Sequence, residues 1–134
     1  MATTPNSVIT PQTVGNGIAT LTSPTAITSR ANITGTTGLV KLKDVTTNGS
    51  KVYEINWKAK ATTTAGSLCI WRYDGTTSYL MAELGIVGTA ASNTIASESG
   101  RMTFDNLALK PTEALYVSVT VANDLTVFAQ CSDL

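Results

Sequence analysis

Between Lys51 and Ala61 the chain alternates: Tyr53, Ile55, Trp57 and Ala59 share one parity, and Glu54, Asn56, Lys58 and Lys60 the other. Successive side chains of a strand point to opposite faces, so a period of two describes a half-buried strand. A helix would gather Tyr53, Asn56, Trp57 and Lys60 on one side and mix its faces. The same spacing recurs downstream. Val40–Lys43 alternates, Leu68, Ile70 and Arg72 oppose Cys69, Trp71 and Tyr73, and Leu80, Ala82, Leu84 and Ile86 align within Ser78–Val87. Arg101–Leu107 runs through Met102 and Phe104, Leu115, Val117, Val119 and Val121 align, and Leu125–Cys131 follows. Turn chemistry separates these runs at Asn48-Gly49, Asp74-Gly75-Thr76-Thr77 and Asn123-Asp124. Gly85 and Gly88 predict a bulge and an exit from the strand they follow. A helix over Leu80–Leu84 is the competing reading, but it would be short and uncapped. Short strands punctuated by turns predict an all-β fold, a single antiparallel β-sandwich or jelly roll over residues 38–134. No internal repeat points to a propeller or solenoid.

Residues 1–37 read differently. They are rich in Thr, Ser, Asn and Gly, are punctuated by Pro5, Pro11 and Pro24, and hold only short β-prone pieces at Gly17–Thr22 and Ala31–Thr34. So little apolar area does not hold a core alone. An extended N-terminal arm is expected, lying on its own sheet or on a neighbouring subunit. The start, Met1-Ala2-Thr3-Thr4-Pro5-Asn6, has neither the basic nor the apolar region of a secretory signal, and no run approaches a membrane span.

The chain of 134 residues has no histidine, nine basic and nine acidic residues and only 13% charged residues, about half the usual share. Threonine supplies the missing polarity; it favours strands and keeps a solvent face wet without charge. A surface so weakly charged suits a subunit whose faces are occupied by neighbours. Zero net charge gives nucleic acid no long-range attraction, and Lys41, Lys43, Lys51, Lys58 and Lys60 read as a solvated face or strand-edge guards. Cys69 and Cys131 read as reduced, buried, small apolar residues. Asp44, Asp74, Asp105, Asp124 and Asp133 lack the spacing of a calcium loop and read as turn residues. Glu83 and Glu98 form a carboxylate pair only if the fold brings them together, and no nucleophile or phosphate-cradle motif is present. No catalytic residue, metal or cofactor is expected.

The opening Thr3-Thr4-Pro5-Asn6-Ser7-Val8-Ile9-Thr10-Pro11-Gln12-Thr13 resembles the N-terminus of a family of small virion proteins of tailed bacteriophages and prophages. Asn48-Gly49-Ser50-Lys51-Val52, Ala61-Thr62-Thr63-Thr64-Ala65-Gly66, Leu109-Lys110-Pro111-Thr112-Glu113-Ala114-Leu115 and the tail Ala129 to Leu134 are similar to the family's pattern. The chain departs from it at Cys131-Ser132, where the family has Gly-Gly, and at Thr112 or Glu113, where it has Gly. The resemblance implies a small β domain in the phage particle and no defined activity. Within a particle, an all-β domain with a low-charge arm suits a capsid cement or decoration protein on the outer surface of the capsid. Its expected partners are the major capsid protein and copies of itself, a homotrimer by analogy, with no nucleic acid and no membrane. Pro5, Val8, Ile9, Pro11, Val14, Ile18 and Leu21 would be the arm's contacts, adding backbone pairing and avidity. The alternative is a receptor- or glycan-binding module of a tail or head fibre, which would use Trp71, Tyr73 and Tyr79 around the Asp74–Ser78 loop.

Overall fold

The computed structural model describes residues 13–134, and among these the fold is all-β with no helix. Nine strands follow in order: β1 (Thr13–Leu21), β2 (Ile33–Thr34), β3 (Val40–Lys43), β4 (Ser50–Ala59), β5 (Gly66–Tyr73), β6 (Thr77–Ile86), β7 (Ser99–Leu109), β8 (Ala114–Val119) and β9 (Leu125–Asp133). They form a four-stranded sheet in the order β1-β9-β4-β7 and a five-stranded sheet in the order β2-β6-β5-β8-β3. All strand pairings are antiparallel. Val52, Ile55, Trp57, Val127 and Ala129 of one sheet and Leu68, Ile70, Leu115, Val117 and Val119 of the other share one buried core, an arrangement consistent with a β-sandwich. The alternation that predicted the strands thus also places the core. Residues 80–84, the competing helix, lie within β6.

Three register shifts depart from simple alternation, one of them on β3 between Lys41 and Lys43, where Leu42 and Lys43 are both buried. Along β4 the pairing slips between Val52 and Glu54, so Val52 and Ile55 both face the core and Tyr53 turns outward, opposite to its expected face. An extra residue of this kind bends a strand and re-aims its side chains. Along β6 the slip falls between the Ile70–Ala82 and Trp71–Leu80 pairs, at Met81 and not at Gly85. Ala82, Leu84 and Ile86 keep their core side, whereas Leu80 pairs with Trp71 on the other face.

Residues 13–37, read from sequence as part of an arm, are built into both sheets. β1 pairs along its whole length with the last strand, from Thr13 with Asp133 to Leu21 with Leu125. Its flank lies against β3 so closely that a Cβ on Gly17 would overlap the Leu42 carbonyl oxygen. The chain then bridges to Val119 at Ala26, Ile27 N–H donating to the Val119 carbonyl (2.8 Å), and joins the far edge of the same sheet at β2, paired with β6. To pass between those edges it crosses the sheet's outer face. Arg30 marks the path, its guanidinium on the outward Glu83 carboxylate at 2.6 and 3.0 Å. From β2 the chain returns to β3, and Ile27 meets Gly38 where the two passes run side by side. This double strap buries Cys69 and Trp71 on a face that would otherwise meet water.

Candidate interaction surface

The outer face of the four-stranded sheet carries no such cover from the described chain. Outward parity on β1 falls on Val14, Asn16, Ile18 and Thr20, and inward parity on Ala19 and Leu21. Val14 is 89% exposed and Ile18 58%. Ile18 pairs across the ladder with the half-buried Phe128, which pairs in turn with Asn56, making a row of two apolar side chains and an amide. One row on, Asn16 pairs with Gln130 and Gln130 with Glu54. Tyr53, turned out by its bulge and 41% exposed, joins Val14, Asn16, Gln130 and Ser132 around a shallow depression of about 450 Å³. The β1–β9 half of this face is uncharged, while Lys51, Glu54, Lys58 and Arg101 lie on the β4–β7 half. Large apolar side chains grouped on a soluble surface mark sites of association.

Of the seven residues expected as arm contacts, Val14 and Ile18 lie on this face. Leu21 does not: it is fully buried in the core. Pro5, Val8, Ile9 and Pro11 lie outside the described residues. Tyr53 and Phe128, which complete the patch, were not singled out from sequence. The signal for Tyr53 was Val52 and Ile55, two apolar residues three apart within a strand, an odd spacing that requires a slip. Phe128 carried no such signal.

The three aromatics around the Asp74–Ser78 loop do not come together. Trp71 is completely buried beneath the strap, its indole N–H donating to Ser118 Oγ at 2.9 Å. Tyr73 packs edge-on against Tyr116, ring centres 5.6 Å apart. Tyr79 is 43% exposed but pairs with Arg72, on the opposite face from Trp71 and Tyr73. The loop is a turn fixed by Asp74, whose carboxylate accepts from the Thr76 and Thr77 N–H groups at 2.9 and 2.8 Å; these bonds hold its pKa below the ordinary range.

Four further acids are engaged as braces. Glu83 is bound by Arg30, which lowers its pKa. Glu98 accepts from Val87 N–H, Gly88 N–H and Thr63 Oγ1 at 2.8 to 2.9 Å. Desolvation works to raise its pKa, but these bonds outweigh it and hold the carboxyl below its usual range. Glu113 grips Arg72 and is lowered by it. Asp133 takes the buried Lys43 ammonium at 2.9 Å and Ser50 Oγ at 2.8 Å, and Lys43 foremost depresses its pKa. Among the described residues no three His, Cys, Asp or Glu side chains could hold a metal ion. Cys69 and Cys131 are free and buried, and burial pushes both thiols up. Lys41 and Lys43 stand on the edge strand β3, where Lys41 is exposed beside Asp44 and Lys43 is not.

Comparison with protein-family models, curated proteins and solved structures gave no match.

Proposed function

We propose that this chain is a structural protein of a phage particle, a cement or decoration protein on the outer surface of the capsid that braces neighbouring major capsid protein subunits. The observation that carries the reading is the apolar row of β1, which no described residue covers. Val14 and Ile18 project from the first described strand, directly after the segment holding Val8 and Ile9. Such a row offers a neighbouring subunit side-chain burial.

A jelly roll is the finer fold we assign. What supports it is the strand order: with β2 set aside as part of the strap, the sheets read β1-β9-β4-β7 and β3-β8-β5-β6. That is the interleaving of two Greek keys, an architecture found in viral shells and in lectins. The fibre reading has less support, because Trp71 has no surface on which a sugar could stack.

The test is attachment to particles. Val14→Asp combined with Ile18→Asp should leave the fold intact and reduce occupancy on purified particles at least tenfold, measured by quantitative mass spectrometry against the major capsid protein. The unaltered protein should approach parity with the shell subunit, at hundreds of copies. A handful of copies per particle, or full occupancy by the double variant, overturns the reading.

A further inference from the structure

The two edges of the four-stranded sheet differ. The β1 edge is closed against β3, whereas among the described residues β7 has no strand on its far side. Across the open seam, β6 beyond Ser78 pairs with β5 on one side and, among the described residues, with no strand on the other, and Met81 is half-buried there. The far end of β7 is occupied, since Arg72 Nη2 donates to the Ala108 carbonyl at 2.6 Å. What remains is Ser99–Asp105, where side chains alternate without a break: Ser99, Arg101, Thr103 and Asp105 are exposed, and Gly100, Met102 and Phe104 are turned to the core side and half-buried.

Charged residues on an edge strand usually deter pairing. Here they deter two of the near registers and favour one. Arg101 and Asp105 have opposite signs and stand two residues either side of Thr103. When two copies of β7 run antiparallel about a twofold axis at Thr103, Arg101 faces Asp105 of the second copy, twice over. In the same register Met102 faces Phe104 of the second copy on the core side. Centring the pair on Arg101 or on Asp105 sets a like charge against itself, which is destabilising. Centring it on Met102 faces Arg101 with Thr103 and leaves Phe104 opposite Gly100. Among the described residues Arg101 pairs only with Glu54, at 4.0 Å, and Asp105 makes no ion pair.

We propose that β7 is a self-association edge: two copies of this chain pair through Arg101–Asp105 about a twofold at Thr103, joining two four-stranded sheets into one of eight strands. Such an interface is isologous and closes at two copies, in place of the trimer expected by analogy. It stands on the edge geometry and does not depend on the capsid reading, because the purified protein alone tests it.

Sedimentation velocity over a concentration series should find the unaltered chain dimeric. Arg101→Asp or Asp105→Arg alone sets like charges face to face and should weaken the dimer at least tenfold. The two together restore opposite charges and should return it. Under mild oxidation Thr103→Cys should cross-link to itself, because that position lies on the axis, while Thr20→Cys, exposed on the opposite edge strand, should not. A monomer at every concentration, a trimer indifferent to these charges, a double variant no better than the singles, or equal cross-linking at both positions overturns the proposal.

Discussion

Asp133 illustrates how much one residue can hold in a chain so poor in charge. It sits at the end of β9, and its carboxylate receives the ammonium of Lys43, whose side chain is 7% exposed, together with the Ser50 hydroxyl. The carboxyl titrates lower in the folded chain than in the unfolded one. Its stabilising contribution is therefore complete above the ordinary carboxylate range, near pH 4, and is lost as pH falls through the depressed folded value. Asp133→Asn leaves Lys43 buried without its counter-charge and should cost about 2 kcal/mol or more at neutral pH. It should also flatten the decline in stability below about pH 4. Urea unfolding at stepped pH checks both; parallel curves for the two proteins would dismiss the pair as a source of acid sensitivity. Little of this was legible beforehand. Lys43 read as an edge guard and Asp133 as a turn residue, because pairing across the whole chain length leaves no trace in local spacing. Gly17 was equally silent: a glycine in a β-prone piece does not announce that a carbonyl from β3 occupies the place of its side chain.

At the scale of elements, alternation located the strands well, and it failed where alternation itself slips. The faces of β5, β8 and the second half of β4 agree with the simple reading, whereas Tyr53 and Leu80 lie beyond bulges and changed sides. The strap of residues 26–39 was the larger omission. It has almost no periodicity, since its work is to cross strands and not to join them, and its anchors, Ile27 and Arg30, are single residues. Gly38 makes this element testable. Its φ of +82° is one that side-chain-bearing residues rarely adopt, and a Cβ there would stand 3.0 Å from Ile27 Cδ1. Gly38→Val should loosen the strap and admit a thiol reagent to Cys69, which lies beneath it, while Cys131 stays shielded between the sheets. Peptide mapping of the labelled cysteine distinguishes the two. Equal labelling of both thiols would mean that the whole fold, and not the strap, had opened.

At the scale of the sheets, the governing fact is that β9 lies between β1 and β4, so the first described strand finds its ladder partner only in the last. Folds dominated by such distant pairings fold in milliseconds to seconds. Stopped-flow refolding followed through Trp57 and Trp71 should find a main phase in that range, and a sub-millisecond main phase would contradict it. Fold class and strand placement were readable because burial imposes a local period on every strand; order within the sheets was not, since each segment of the chain is compatible with many neighbours. The pairing of Thr13 with Asp133 has a mechanical side as well. A pull applied between the two ends of the described chain would enter at one corner and peel β1 from β9 one rung at a time, a low-force route. A load spread over the outward face of β1 would instead strain all its rungs together. A clamp built on this fold resists best when gripped by its flank, and gives way when drawn by its ends.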